Sequence, residues 1–519
     1  MTDIFHQKKD KPKRVLLISF RNAELVAVAH KLREHGVDVV YWIGGKTKEW
    51  HTAANDKKNF QRTIFHDSLD CLQAIPAPGV DPSQFAPVGL DLARSMLACE
   101  SQVLSMMNSV DYTALSVSRK KQIYYEYLRY WHGVLTHFKI DAVLSHDIPH
   151  GVYDYVIWCL AEKMGIKSIM YIAPLLPNRL LFFDDFLKFN ELQEEYKKTL
   201  QENVSIDNLS PDLRSYYLDQ IAKNKTINFH QSRVKSRVEP LANALRPFPS
   251  MRALLRNLRR HTFVKTAYAY TRMLFRKEEM PSLDRFILGG FALRKKFYEW
   301  NTLNRSFKRE YESFARYPDL SKKFIYVPLH MQPERSTSAQ GDIFVSQKVM
   351  LDILSAALPK EWVIYVKEHP AQWAIRRTHM GRYAGYYREM AEIRNVTLVP
   401  MEVPSAELIN KAQTVATVTG TSLWEAVLSG KPSLMFGYNW FMHCDGVFLI
   451  SDVTSAMSAL EKIKNGYTPD KNRVLSFFVA LDRVSVVGYG RTKRNKTREI
   501  PEDERLENLF LGYYQRLIK

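Results

Sequence analysis

The amino-acid sequence predicts an α/β protein made of two doubly wound units, each a parallel sheet wrapped by helices. Short apolar runs alternate with amphipathic stretches through residues 15–172 and again through 324–436, the rhythm of βαβ units. Glycines such as Gly36 and Gly165 close the helical stretches, where a left-handed C-cap favours them. At 519 residues, 46% hydrophobic and 25% charged, the chain exceeds one ordinary core and fits two domains with an insertion.

In the first unit Val15 to Phe20 reads as a buried strand, Ala23 to Glu34 as a helix and Val37 to Ile43 as the next strand, ended by Gly44-Gly45. A helix near Lys121 to Phe138, a strand Asp141 to Ser145, a helix Tyr153 to Met164 and a strand Ser168 to Ile172 follow. The loop Arg21-Asn22-Ala23-Glu24 lacks a Gly-x-Gly-x-x-Gly fingerprint, which argues against a dinucleotide. A largely helical insertion is expected from about 186 to 318. The second unit then runs through strands at Phe324 to Leu329, Val363 to Lys367, Val396 to Val399, Thr414 to Val418 and Ser433 to Phe436. Helices are expected at Gln347 to Leu358, Arg382 to Arg394, Ser405 to Ala412 and Leu423 to Ser429. The expected domains are 1–186, an insertion over 187–320, 321–500, and a C-terminal helix over 501–519 packing across the junction.

No apolar run approaches the roughly 18 residues a membrane span needs. The lysine-rich start leads directly into the first strand without a hydrophobic leader, so a cytoplasmic location is expected. Cys71, Cys99, Cys159 and Cys444 are scattered, with neither disulfide nor zinc spacing. The net charge is +19, and residues 233–277 supply +11 of it, twelve Lys/Arg against Glu239. There Arg252, Arg256, Arg259 and Arg260 interleave with Leu254, Leu255, Leu258 and Phe263, separating on a helix into basic and apolar faces. Such a segment suits an anionic membrane surface or an acidic lipid-linked glycan, and equally a solvated insertion. No helix-turn-helix, RNP, KH or zinc-finger pattern accompanies the charge, so nucleic acid is not expected.

Two motifs carry chemistry. The strand Val363 to Lys367 ends in Glu368-His369-Pro370, and the strand Thr414 to Val418 ends in Thr419-Gly420-Thr421-Ser422 before a helix. Small hydroxyl residues at a helix N-terminus offer unpaired N–H groups and a favourable dipole to a phosphate. Ser422-x-x-Glu425 is also a capping box, which needs no ligand.

The run Tyr326-Val327-Pro328-Leu329-His330-Met331-Gln332-Pro333-Glu334-Arg335, the Tyr365 to Pro370 segment, the Thr419 to Pro432 segment and Ser145-His146-Asp147-Ile148-Pro149-His150-Gly151 resemble the bacterial capsule polysaccharide biosynthesis proteins. That group includes Kdo transferases and, more distantly, shares motifs with sialyltransferases. The resemblance covers about 13–175 and 320–440. It implies a GT-B glycosyltransferase architecture, two Rossmann-like domains across a cleft, and transfer of a 2-keto sugar acid (Kdo, pseudaminic, legionaminic or sialic acid type) from a CMP-activated donor to a surface glycan, capsule or lipid-linked acceptor.

On that reading His369 serves the leaving phosphate with Lys367, Thr419, Gly420, Thr421 and Ser422. Glu425 reaches the ribose or closes the capping box, and His330, Gln332 and Glu334 contact the donor sugar. The catalytic carboxylate is Asp147, flanked by His146 and His150 on the acceptor side, or Glu24, favoured by its place in the first βα loop but equally suited to complementing the helix dipole. With no Asp-x-Asp in the chain and one phosphate on CMP, no metal and no cofactor beyond the donor are expected. A UDP- or GDP-sugar transferase, or a non-catalytic glycan- or membrane-binding protein on the same fold, are the competing readings.

Overall fold

The computed structural model describes residues 12–222, 278–280, 282–284, 286–288, 290–374, 378–490 and 495–519. Its strands are β1 (Arg14–Ile18), β2 (Asp38–Gly44), β3 (Ile64–Asp67), β4 (Ala142–Ser145), β5 (Lys167–Ile172), β6 (Arg179–Phe183), β7 (Glu278–Met280) and β8 (Phe286–Leu288). After these come β9 (Phe324–Pro328), β10 (Val363–Lys367), β11 (Val396–Leu398), β12 (Thr414–Thr417), β13 (Ser433–Met435), β14 (Val447–Leu449) and β15 (Val486–Val487). The first sheet has the order β15-β6-β5-β4-β1-β2-β3 and the second β11-β10-β9-β12-β13-β14. The second is parallel throughout; the first is parallel from β3 to β5, with β6 and β15 antiparallel at its edge. Two Rossmann-like sheets in one chain are the GT-B architecture predicted from the sequence.

The helices Ala23–Glu34 and Tyr153–Met164 form where the apolar spacing places them, and the second ends on Gly165 in the left-handed region. The apolar residues sort onto sheet faces by the period of two. Val15 and Leu17 of β1 join a cluster with Leu509, Phe510, Tyr513 and Leu517, whereas Leu16 and Ile18 face the opposite side. That opposite core continues into the second sheet through Phe324, Tyr326, Tyr365, Val415 and Met435, with Trp424, Phe477 and Phe478. The far face of the second sheet packs Ile325, Val327, Ile364 and Val366 against Met350, Leu354, Tyr311 and Tyr387.

Three further stretches bear on the expected elements: the insertion, the terminal helix and residues 382–394. Residues 187–222 are helical in part, and the helix Asn190–Thr199 packs on the distant helix Lys471–Val484. Arg179 and Ser210 both meet Asp482 of that helix. The β7–β8 hairpin and the long helix Gly290–Phe314 follow, and Tyr311 of that helix lies in the second domain's core. The terminal helix Glu502–Ile518, expected to pack across the junction, follows the second sheet in the chain and packs back on helix Ala23–Glu34 and on β5 of the first, its apolar face completing the cluster around Val15. The helix expected over 382–394 forms only at Tyr386–Ala391: Gly385 is left-handed, with φ +92°, and breaks its start. The whole basic 233–277 segment lies outside the described residues, as do residues 1–11 of the lysine-rich start. Among the described residues no helix is long and apolar enough to cross a membrane.

Candidate functional site

An open parallel sheet binds ligands at the C-terminal ends of its strands, where the strand order reverses. In the first sheet β1–β2–β3 runs one way and β4–β5–β6 the other, so the reversal falls between β1 and β4. Glu24 follows β1 and Asp147 follows β4. In the second sheet β9–β10–β11 and β12–β13–β14 diverge between β9 and β12. His330 follows β9 and Thr419 to Ser422 follow β12, so the sequence motifs occupy both reversal points.

In the second domain the helix Thr421–Leu428 has extended Gly420 as its N-cap and no side-chain cap. Ser422 lies inside the first turn, so the predicted capping box does not form and the leading N–H groups keep their capacity for an anion. A Cβ on Gly420 would stand 3.0 Å from Thr417 Cγ2, 3.3 Å from Ser422 Oγ and 3.5 Å from His330 Nε2. Glycine therefore lets the imidazole and the hydroxyl converge on the turn. The Thr419 N–H donates to His330 Nε2 at 3.1 Å, so the ring carries its hydrogen on Nδ1 and donates it to Glu334 Oε1, also 3.1 Å away. Glu334, expected at the donor sugar, orients this imidazole. The Thr419 carbonyl accepts from Asn439 Nδ2 at 2.9 Å, which fixes the turn from the third loop.

His369 is half-buried at the end of the adjacent strand β10. Its Nδ1 accepts from the Ala371 N–H at 3.1 Å, and its own N–H donates to Glu368 Oε1 at 2.6 Å. Nε2 is then the ring atom that carries the hydrogen in the neutral form.

Beneath both histidines lies an ion pair that sequence reasoning missed. Arg382 and Glu368 side chains are each 0% exposed, and the guanidinium meets both carboxylate oxygens, Nε to Oε2 at 2.9 Å and an Nη to Oε1 at 3.0 Å. Arg382 also donates to the His330 carbonyl at 3.1 Å and to Gln332 Oε1 at 2.7 Å. The Tyr387 hydroxyl donates to Glu368 Oε2 at 2.6 Å. Burial works against the Arg382 charge, but Glu368, Tyr386 and Tyr387 outweigh it and hold its pKa above the ordinary arginine value. A signal existed in Glu368, a carboxylate at the end of an apolar strand, which demands a buried counter-charge.

Three expected contacts are corrected. Gln332 does not face the cleft: its amide oxygen is taken by Arg382 and its amide nitrogen by the Val345 carbonyl. Lys367 does not share the direction of His369, since β10 ends at Lys367 and strand alternation stops there. Its ammonium is buried against the Val403 carbonyl and Ser405 Oγ, and desolvation lowers its pKa to about 8. Glu425 neither caps nor lies open: it neighbours the phenols of Tyr216 and Tyr326, and desolvation raises its carboxyl to about 7.

In the first domain the two candidate carboxylates share a neighbour. Burial first, then Glu24 and Asp147, push up the phenol of Tyr171 on β5, and His146 stands edge-on to the same ring at 5.5 Å. Glu24 is ion-paired to Arg505 of the terminal helix, and Arg505 also donates to the Tyr489 hydroxyl at 2.6 Å. Asp147 is half-buried, its Oδ1 accepting the Ile148 N–H at 2.8 Å. His150 is exposed and turns its Nδ1 to the Ile148 carbonyl at 2.6 Å. Asp154, not anticipated, holds the His150–Gly151 turn through two N–H groups at 3.2 and 2.6 Å.

No curated protein matches the sequence. Solved structures similar to the chain include UDP-GlcNAc 2-epimerase from Methanocaldococcus jannaschii, 13% identical over 91% of this chain and 98% of that one, TM-score 0.24. Another is the beta Kdo 2,7 transferase of Thermosulfurimonas dismutans KpsC, 11% identical over 82% and 96%, TM-score 0.27. A third is UDP-GlcNAc 2-epimerase from Neisseria meningitidis bound to UDP-GlcNAc, 12% identical over 93% and 97%, TM-score 0.23. At such values the fold rests on the two sheets themselves. Residues 292–452, which hold the second reversal point and both histidine loops, match the family of capsule polysaccharide biosynthesis proteins.

Proposed function

We propose that the protein is a glycosyltransferase of capsule or surface-glycan synthesis, moving a 2-keto sugar acid from its CMP-activated donor to a glycan or lipid-linked acceptor. The observation that carries this is the second reversal point: an uncapped helix N-terminus with His330 beside it, inside a capsule-synthesis domain. The Thr421 and Ser422 N–H groups and hydroxyls hold the phosphate oxygens, and His369 Nε2–H donates to the charge that grows as CMP leaves. Across the cleft, Asp147 serves the reacting centre from the C-terminal end of β4, next to His146 and near Tyr171, while Glu24 pairs with Arg505 of the terminal helix. A monophosphate leaving group on such a cradle needs no metal. Residues 233–277, by their charge, hold the enzyme at an anionic membrane surface where a lipid-linked acceptor lies.

Thermal shift with CMP, UDP and GDP tests the donor. A ligand at a hundred times its dissociation constant adds about 2.7 kcal/mol, so CMP is expected to raise Tm and the others to do less. Stabilisation by UDP or GDP alone would transfer the site to a diphosphate donor, and none by any of the three would leave a non-catalytic protein.

A further inference from the structure

We propose that Arg382 and Glu368 are the positioning pair of the phosphate site, a single buried ion pair that sets the His330 loop and the His369 loop relative to one another. The inference rests on the reading of that site given above. The two loops leave adjacent strands, and Arg382 reaches the first through the His330 carbonyl at 3.1 Å and Gln332 Oε1 at 2.7 Å. Glu368 reaches the second by taking the His369 N–H at 2.6 Å. Between these contacts lie the two hydrogen bonds of the ion pair, so a chain of charge-assisted bonds joins one histidine backbone to the other.

The surroundings hold this chain in one geometry. Tyr387 fixes Glu368 Oε2, and Arg382 lies over the Tyr386 ring at 4.6 Å. Gly381 admits the close approach: a Cβ there would stand 2.5 Å from Gln332 Cβ and 2.6 Å from its carbonyl oxygen. Gln372 ties the same loop from another side, accepting the Gln332 N–H at 2.8 Å and donating to the Thr378 carbonyl at 2.7 Å. A fully buried charge pair is costly to desolvate and gives less stability than an apolar pair of its size. Fixing the turn that His330 supports and the His369 imidazole against one phosphate is a use for which that cost is offset, since a misplacement of about 1 Å can cost on the order of 100-fold in rate.

The test separates positioning from folding. Arg382→Met/Glu368→Leu removes both charges together, which a buried pair tolerates better than the loss of one. Glu368→Gln and Arg382→Lys are the conservative companions. In full-length protein with nitrogen-15 histidine, the imidazole signals of His330 and His369, assigned through His330→Gln and His369→Gln, are expected to shift together in the double variant while Tm stays near wild type. Turnover is expected to fall on the order of 100-fold with KM changed much less, and Arg382→Lys to recover only part of it. Unmoved histidine signals in a folded double variant, or full turnover in it, would overturn the proposal. A double variant that fails to fold passes the test to Arg382→Lys, where native histidine signals would overturn it equally. Because the histidine signals need no substrate, a wild-type protein without transferase activity would defeat the functional reading and leave the positioning claim to be decided by spectroscopy.

Discussion

The two reversal points differ in how they treat charge. In the second domain the ion pair is buried under the site, and the groups at the ligand edge are neutral: an imidazole, two hydroxyls and backbone N–H groups. In the first domain carboxylates stand at the edge itself, Glu24 paired with Arg505 and Asp147 accepting the N–H of Ile148 in its own loop. An edge of neutral donors suits an anion, and an edge of carboxylates suits a hydroxyl that must lose a proton. On the proposed function, the difference fits a donor in the second half and an acceptor in the first, without reference to the sugar.

The sharpest way to break this division is Asp147→Asn. Removing a general base typically costs about 100- to 10,000-fold in rate, so turnover should collapse while CMP affinity, held by the other domain, is retained. Glu24→Gln should leave turnover nearly unchanged and cost about 1–2 kcal/mol of stability through Arg505, measured by denaturant unfolding. The reverse ranking of the two would move the chemistry to the first βα loop.

His369→Ala should lower turnover about 100- to 1000-fold with the fold intact. Near-wild-type rates would remove the imidazole from the donor side. Gly420→Ala probes the cradle without backbone strain, because Gly420 has φ −65°. Its methyl would press on Thr417, Ser422 and His330, and calorimetry should show CMP binding weakened about tenfold, ~1.4 kcal/mol. Unchanged affinity would mean that the phosphate lies elsewhere.

An effect on stability alone sharpens the comparison through two glutamates. Glu24 has an arginine; Glu425 has no ion pair among the described residues, and desolvation pushes its carboxyl up to about 7, above the ordinary glutamate value of 4.5. The folded state therefore binds more protons than the unfolded state between those values, so stability falls as pH rises from about 4.5 through 7. Glu425→Gln should remove that slope and stabilise the protein at pH 8 by roughly 2–4 kcal/mol, opposite in sign to Glu24→Gln. A pH–stability profile parallel to wild type would mean that Glu425 is better solvated than its neighbours suggest.

What the sequence disclosed was local. Thr419 to Ser422 and His369 sit beside strands whose apolar runs announce them, so their place at a sheet edge was readable. Arg382 was assigned to a helix because its partner precedes it by 14 positions across a loop, and no periodicity records that pairing. Arg505 lies 481 positions from Glu24, so the neutralisation of one candidate base could be seen only in the fold. Lys367 and Gln332 misled for a related reason: a polar residue near a motif serves the loop's own backbone as readily as a ligand. Tyr171, inside an apolar strand, read as core and is core, yet its hydroxyl feels both carboxylates.

The edge strand β15 and the helix Glu502–Ile518 have a consequence for biogenesis. Ribosomes add roughly 5–20 residues per second, so the segment that pairs with β6 emerges on the order of 15 to 60 s after β6 itself. Until then Val15, Leu17, Tyr171 and Phe182 lack the partners Leu509, Phe510, Tyr513 and Leu517, and the growing chain carries an open apolar sheet face with an unpaired edge. Such a nascent chain is a natural client for a holding chaperone, and a stop codon before Val486 should raise the share of protein found in inclusion bodies although both ligand-edge motifs are intact.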